Sequence, residues 1–165
     1  MAKRPPIRVI HTADLHIGME NYGRWNPATG LHARLEDYLG SLDQVVDFAL
    51  AEDADVFLVA GDIYKTKDPS PTQQREFARR VKRLAGAGVH VVLLVGNHDM
   101  PNRHGDANPL DIYASLELPG VTVFRRPDLV TIETRKGPLQ IAALPHLPRS
   151  FLMAREQTMP RSLQE

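Results

Sequence analysis

Three short clusters of carboxylate, imidazole and amide side chains have the clearest capacity for chemistry in this sequence. The first cluster is Asp14 and His16, the second is Asp62, and the third is the run Asn97-His98-Asp99. Mixed nitrogen and oxygen donors favour manganese, iron or zinc, whereas an all-oxygen set favours magnesium or calcium. One carboxylate can bridge two ions about 3.5–4 Å apart, the arrangement that holds attacking and leaving oxygens in phosphoryl transfer. Asp62 is the candidate for that bridge.

Each cluster taken alone has a simpler interpretation. Asp14 could cap a helix or close a turn, and a Gly-Asp pair such as Gly61-Asp62 commonly marks a turn after a strand. A left-handed Asn in a polar loop would account for Asn97 but not for all four residues of Gly-Asn-His-Asp. Three such clusters in order, each directly after a predicted strand, favour one shared site.

Apolar runs precede the clusters and predict the strands that position them. They occupy residues 7–10, 56–60 and 89–95. Such nearly continuous apolar runs are typical of parallel strands that are covered on both faces. Because the carboxyl ends of parallel strands meet at one edge of a sheet, we expect the clusters to converge there. Asp14 and His16 are two residues apart, so we expect them on the same side of an extended segment.

Two amphipathic segments between these runs predict helices over about residues 31–51 and 72–86, the second with Thr72 as a possible cap. The β-α-β-α-β order predicts right-handed crossovers and an α/β sheet with helices on its faces. A short helix is expected near residues 109–118. The later runs VTVF, LVTIET and LQIAAL are predicted to form antiparallel hairpins added to the sheet.

Composition bounds the class of protein. The 165 residues carry 20 Lys and Arg against 20 Asp and Glu, contain no Cys, and are 42% hydrophobic. The balanced charge argues against electrostatic coating of nucleic acid, so phosphate chemistry must come from a local site. The lack of Cys excludes disulfides and fits the cytoplasm. No apolar run is long enough for a transmembrane helix, and we expect no association with a membrane.

The three clusters resemble, in order, the motifs of calcineurin-like metallophosphoesterases. The segments HTADLHIG (residues 11–18), GDIYKTKDPSP and VGNHDMPNR are most similar to the N-terminal catalytic part of SbcD-type double-strand-break repair nucleases. The resemblance covers about residues 7–150 and implies a metallophosphoesterase-type sheet flanked by helices. It also implies a metal-dependent DNA nuclease that hydrolyses phosphodiesters by a two-metal-activated hydroxide. We expect this domain over residues 1–150 and a frayed or loosely helical tail over 151–165.

The resemblance also implies a ligand set. Asp14 and His16 would bind the first of two divalent metal ions, Asp62 would bridge the ions, and Asn97 would bind the second. Manganese is the expected metal. The family completes this shell with a further His and a Gly-His-x-His motif downstream, and the sequence contains neither. His146, the only His after residue 104, is expected to be structural, so we expect an incomplete version of the fold and weak or partial metal binding.

Further residues receive catalytic or substrate-binding roles from the same resemblance. His98 would lie by the scissile phosphate, stabilising the transition state or protonating the leaving oxygen, and Asp99 would orient His98. Lys65 stands where some double-strand-break nucleases place a His, and it could hold a phosphate as a point charge or be a solvated loop lysine. Arg103 and His104 are weaker candidates for contact with a DNA backbone.

The resemblance implies three partners: DNA, an SbcC-type ATPase subunit and a second copy of the chain in a homodimer. Two alternatives stay open. The first is a phosphatase or phosphodiesterase of the same superfamily that acts on small molecules. The second is a catalytically silent fragment or dimerisation module, because the downstream histidines are absent from this sequence.

Overall fold

The computed structural model describes residues 5–19, 22–101 and 106–147. In chain order its elements are β1 (Val9–Thr12), β2 (Trp25–Asn26), β3 (Leu31–His32), α1 (Ala33–Ala51), β4 (Val56–Ala60), α2 (Pro71–Gly86), β5 (His90–Leu94), α3 (Asp111–Ser115), β6 (Val121–Phe124), β7 (Asp128–Thr134) and β8 (Gly137–Ala143). The predicted tail over residues 151–165 lies outside the described residues. None of the helices in the described part of the chain is long and apolar enough to cross a membrane.

A four-stranded parallel sheet forms the centre of the fold, with strand order β1-β4-β5-β6. The predicted α/β class is confirmed. Each crossover advances by one strand in the same direction, and right-handed crossovers of this kind place their helices on one face of the sheet. The helices α1 and α2 accordingly share one core cluster, on the same face of the sheet.

Side-chain alternation along the central strands assigns each residue to one face. Phe57 and Val59 of β4 pack into the core beneath the helices, whereas Val56 and Leu58 of the same strand pack into a second, smaller cluster. The second cluster also contains Ile132 of β7. The sheet is therefore covered by helices on one face and by the β7–β8 hairpin on the other, which explains why its central strands are apolar throughout.

The last third of the chain departs from the prediction at one strand. VTVF, predicted as part of an antiparallel hairpin, is β6 and pairs in parallel with β5. The intervening helix α3 supplies the crossover that a parallel pair requires. Only β7 and β8 form the expected antiparallel hairpin, and among the described residues they constitute a sheet of their own rather than extending the central one.

The helix starts also differ from the prediction by one or two residues. Leu31–His32 pairs with Trp25–Asn26 as a small antiparallel bridge, so α1 begins only at Ala33. The cap of α2 is Ser70 rather than Thr72: the Ser70 hydroxyl accepts the Gln73 N–H at 3.3 Å, and the Gln73 side chain accepts the Ser70 N–H at 2.9 Å. This reciprocal capping box satisfies two otherwise free donors at the start of the helix.

A partly buried ion-pair network links α2 to α1. Arg80 donates to both carboxylate oxygens of Asp43 on α1, at 3.0 and 2.6 Å, and to Oε2 of Glu76 on its own helix at 3.1 Å. Glu76 is only 4% exposed, and Arg79 contacts its other oxygen at 2.8 Å. Burial alone raises the pKa of the Glu76 carboxyl, but the surrounding arginines more than offset it and hold that pKa below its ordinary value.

Candidate metal centre

The three polar clusters meet at the carboxyl ends of β1, β4 and β5, as the sequence predicts. The loop after β1 runs beside the loop after β4 and continues their parallel pairing beyond the sheet. The N–H of Asp14 donates to the carbonyl of Gly61 at 3.2 Å, and the N–H of His16 donates to the carbonyl of Asp62 at 3.0 Å. These main-chain bonds bring Asp14 and His16 alongside Asp62.

The backbone at Asp14 and His16 is not extended, so the expected extended segment is wrong, although the two side chains do lie on the same side, with Nε2 of His16 3.7 Å from Oδ1 of Asp14. Asp14, His16 and Asp62 have φ angles of 55°, 46° and 52°, in the left-handed region. They make up half of the six non-glycine residues with positive φ in the described part of the chain. Left-handed non-glycine residues are strained and cluster at functional sites, where the surrounding structure holds them. Here the main-chain bonds between the two loops hold the strained conformation.

Two glycines allow the loops after β4 and β5 to approach each other. A Cβ on Gly61 would lie 3.0 Å from the Cα of Gly96. A Cβ on Gly96 would collide with both the main-chain nitrogen and the carboxylate of Asp62. From the sequence, the glycine at Gly61 indicates only that the chain turns after the strand. The structure shows in addition that Gly96 makes room for the Asp62 side chain.

The side chain of Asp99 bonds to both the loop after β4 and the loop after β5. Its side chain is completely buried and accepts the N–H groups of Ile63, Tyr64 and Gly96 at 3.3, 3.0 and 3.0 Å. Burial raises the pKa of the Asp99 carboxyl above its ordinary value, although these three donors work in the opposite direction. The role expected from the sequence is to orient His98, whereas the carboxylate binds the backbone of the loops that carry Asp62 and His98.

The ring of His98 is held by a main-chain carbonyl. Its Nδ1 lies 3.1 Å from the carbonyl oxygen of Lys65, and because a carbonyl only accepts, Nδ1 carries the proton. The ring meets that of His16 edge to face, with centroids 4.9 Å apart. Residue types do not predict this contact of the candidate site with the Lys65 carbonyl, because no side-chain pattern signals a main-chain acceptor.

Ligand atoms of His16, Asp62 and His98 lie within 4.8 Å of one another. Nε2 of His16 is also 3.7 Å from Oδ1 of Asp14. Nδ1 of His16 is buried and has no hydrogen-bond partner among the described residues. Two imidazoles with carboxylates form a donor set suited to a divalent transition metal, and the orphaned nitrogen marks an unmet bonding capacity in the cluster. The residues present therefore fit a metal.

A cavity of about 190 Å³ opens beside this cluster. Asp14, Asp62 and Asn97 line it, so the exposed Asn97 lies at the same cavity as two of the other predicted ligands. His146 also lines the cavity, and its N–H donates to the carbonyl of Val95 at 3.1 Å. The sequence does not predict this contact of His146 with the site, because the residue follows a strand of the separate hairpin.

The weaker substrate-binding candidates have different outcomes. Lys65 lies in the loop after β4, where its N–H donates to the carbonyl of Ile17 at 2.9 Å and its carbonyl contacts His98. The main chain of Lys65 thus contributes to the site whatever its ammonium group does. Arg103 and His104 lie outside the described residues.

The model of the calcineurin-like phosphoesterase family matches residues 7–159. The chain belongs to the calcineurin-like phosphoesterase family. Among curated relatives of this phosphoesterase, the DNA double-strand break repair protein Mre11 of Saccharolobus solfataricus is 26% identical over 86% of this chain and 34% of its own length. The SbcD component of the SbcCD nuclease of Bacillus subtilis is 31% identical over 63% of this chain and 25% of its own length.

A crystal structure of the Pseudomonas putida nuclease MPE aligns with this phosphoesterase with a TM-score of 0.44 at 24% identity, over 74% of this chain and 50% of that one. The curated relatives show that the chain is homologous to Mre11 and SbcD nucleases over their phosphoesterase region. The chain spans about a third or less of the length of these curated relatives.

Proposed function

We propose that this chain is the N-terminal part of a metal-dependent DNA nuclease that hydrolyses phosphodiesters in double-strand-break repair. The observation that carries the proposal is the convergence of His16, Asp62 and His98 within 4.8 Å at the carboxyl ends of three parallel strands. The homology to Mre11 and SbcD proteins supports DNA as the substrate.

The metal-binding residues in this proposal are Asp14 and His16 for a first ion, Asp62 as the bridge, and Asn97 for a second. Manganese suits the mixed nitrogen and oxygen donors. Divalent ions at such a site lower the pKa of an attacking water and offset the negative charge that develops on the phosphate. The 3.7 Å separation of the Asp14 and His16 donor atoms supports their binding a common ion.

His98 is proposed as the group that protonates the leaving oxygen. Its Nδ1–H is engaged by the Lys65 carbonyl, so the second proton of the imidazolium is carried at Nε2. Transfer of that proton leaves a neutral ring with its proton on Nδ1, still held by the same carbonyl. The carbonyl thus fixes both the direction of the ring and the nitrogen that acts.

The proposal is tested by assaying the purified chain with manganese on linear double-stranded DNA and on a p-nitrophenyl phosphodiester. Asp62→Asn and His98→Ala should each abolish cleavage, and Asp62→Asn should also weaken manganese binding in calorimetry. Asp68→Asn is the matched control, because Asp68 is an exposed carboxylate in the same loop, 81% accessible, and should leave both readouts unchanged. Unchanged cleavage in both site variants would overturn the proposal. Cleavage of the small diester alone would instead favour a small-molecule phosphodiesterase.

We further propose that the chain pairs with a second copy through α2 and α3. An apolar groove of about 680 Å³ runs between these helices, and Ile112 and Leu116 at its edge are 51% and 61% exposed. Burial of such side chains favours association. Leu116→Asp should convert a dimer to a monomer in analytical ultracentrifugation, whereas Leu129→Asp, at an equally exposed leucine of the hairpin, should not. A wild-type chain that stays monomeric at high concentration would contradict this pairing.

A further partner and a location follow from the nuclease proposal. The Bacillus relative is by name one subunit of SbcCD. On that basis an SbcC-type ATPase is the proposed partner, and the cytoplasm is the proposed location. Co-purification of the chain with such an ATPase tests the first assignment, and failure of the two to associate would remove it.

A further inference from the structure

We propose that Tyr22, Arg24 and Trp25 form a platform on which unpaired bases at the end of a DNA substrate stack. The inference rests on the proposed nuclease function and concerns how the substrate is held rather than how it is cleaved. None of the three residues belongs to the candidate metal centre.

The platform exposes two large aromatic side chains. Trp25 is the only tryptophan of the chain, and it is 67% exposed. Tyr22, three residues earlier, is fully exposed. Aromatic side chains of this size are ordinarily buried over most of their surface, and a single exposed one needs no explanation. Two of them in the same short loop form an apolar patch of the kind that marks a binding surface.

The loop that carries Trp25 is ordered by its own hydrogen bonds. Trp25–Asn26 pairs with Leu31–His32 in the small antiparallel bridge. The side-chain amide of Asn26 and the hydroxyl of Thr29 both donate to the carboxylate of Glu36 on α1. Because this framework is in place before a ligand arrives, stacking on Trp25 costs little conformational entropy.

The ring of His32 lies against the same loop. It meets the ring of Trp25 nearly at a right angle, with centroids 6.2 Å apart. A Cβ on Gly23 would lie 2.1 Å from the His32 ring, so the glycine allows the loop to approach that closely. His32 is also the N-cap of α1, and the platform is therefore packed on the start of a long helix.

Arg24 adds a positive charge between the two aromatic residues. Its guanidinium forms no ion pair within the part of the chain that the structure describes. The whole chain carries equal numbers of basic and acidic residues, so a broad basic surface does not supply affinity for a phosphate backbone. Proteins that bind single strands combine aromatic stacking with nearby cations. The platform offers both, which favours single-stranded DNA as its ligand.

The platform is also within reach of the candidate site. Ile17 adjoins His16 of that site, and its N–H donates to the carbonyl of Ile63 in the loop after β4 at 2.9 Å. Tyr22 follows Ile17 by five residues, so their Cα atoms are at most about 18 Å apart. That distance corresponds to about five nucleotides at the spacing of about 3.4 Å along one strand of a duplex. A strand held at the site can therefore extend to the platform.

The test uses the fluorescence of Trp25, which no other tryptophan masks. The purified 165-residue chain is titrated with an oligothymidylate of about 12 nucleotides in the presence of EDTA, so that binding is measured without cleavage. Stacking of a base should quench the emission and protect Trp25 from quenching by acrylamide. A blunt duplex of the same length should have a smaller effect, because its bases are already stacked on one another.

Variants of the platform are compared by the fluorescence anisotropy of the labelled oligothymidylate, again in EDTA. Trp25→Ala should weaken binding by about tenfold or more, and Trp25→Phe, which keeps an aromatic face, should retain most of the affinity. Arg24→Ala should reduce the slope of log affinity against log salt by about 0.7, the value for one phosphate contact on a single strand. Phe48→Ala is the matched control, since Phe48 is an exposed aromatic residue of α1, and it should bind as the wild type does.

The outcomes separate this inference from the proposed function. If the chain cleaves DNA with manganese but oligothymidylate leaves the emission and acrylamide quenching of Trp25 unchanged, the platform is overturned and the nuclease stands. If oligothymidylate quenches Trp25 and the chain cleaves no DNA, the platform stands and the nuclease falls. Wild-type affinity in Trp25→Ala, or equal weakening by Trp25→Ala and Phe48→Ala, would also overturn the platform. The fluorescence of the wild-type chain decides the matter if Trp25→Ala does not fold.

Discussion

The main-chain N–H of His98 donates a 3.0 Å hydrogen bond to Oδ1 of Asp62, a residue 36 positions earlier in the chain. This bond joins the loops after β4 and β5 at the centre of the candidate site. Because the donor is a backbone group, replacement of the His98 side chain leaves the bond in place. The chemistry of the imidazole can therefore be tested without loss of the contact that positions Asp62.

Asp99→Asn should lower both stability and metal affinity. The three N–H donors that face the Asp99 carboxylate need two accepting oxygens, and an amide offers one, so at least one buried donor loses its partner. An unsatisfied buried donor costs about 1–3 kcal/mol of unfolding free energy. Urea unfolding and manganese calorimetry measure the two effects. The exposed Asp68→Asn serves as control, and equal stability of the two variants would contradict the role given to Asp99.

Gly96→Ala should disrupt the site more than it disrupts the fold. The new methyl group collides with the main-chain nitrogen and the carboxylate of Asp62, so the loops must separate. We expect a large loss of manganese affinity, measured by calorimetry. Gly40→Ala is the opposite case, since Gly40 lies within α1 and a methyl group there meets no atom within 4 Å. That variant should gain about 1 kcal/mol of stability and keep its metal affinity.

Arg80→Ala should destabilise the scaffold without changing the metal site. The substitution removes the link between α2 and Asp43 on α1 and takes one of the arginines from the buried Glu76 carboxylate. We expect a loss of about 2 kcal/mol in unfolding free energy, less than the about 3–5 kcal/mol for a fully buried pair, because Asp43 is partly exposed and Arg79 still contacts Glu76. Lys82→Ala, at an exposed position of α2, should cost little. Equal effects of the two substitutions in urea unfolding would refute the network's contribution.

Because of His90, the free energy of unfolding should decrease as the pH is lowered from neutral to mildly acidic. Burial lowers the pKa of the His90 imidazole below its ordinary value of 6.5, and Nε2 lies 2.8 Å from Oγ1 of Thr122. As the pH falls below 6.5, the unfolded chain therefore binds a proton at His90 before the folded chain does. The neutral ring's contribution to the free energy of unfolding is thus present above pH 6.5 and is lost as the pH falls below it. His90→Gln should show a smaller loss of unfolding free energy between about pH 7 and pH 5. An unchanged pH dependence in that variant would contradict the assignment.

The sequence was sufficient for the elements whose signals are local. The helices at Ala33–Ala51 and Pro71–Gly86 follow from apolar spacing, and the parallel strands follow from nearly continuous apolar runs. The pairing direction of β6 could not be predicted from the sequence, because VTVF has the same apolar pattern whether its neighbouring strand is parallel or antiparallel. Its direction depends on the crossover through α3 and on its pairing with β5.

The sequence by itself predicted which side chains form the candidate site, because residue types and their places after predicted strands reveal a donor set of carboxylate, imidazole and amide. Only the tertiary structure decided how they are held. Main-chain groups hold the site in three places. They give Asp14 and His16 a left-handed backbone, they place the Lys65 carbonyl against His98, and they donate the N–H groups that the Asp99 carboxylate accepts. Every residue carries the same main-chain groups, so residue types cannot reveal those contacts, and they appear only when the loops are packed together.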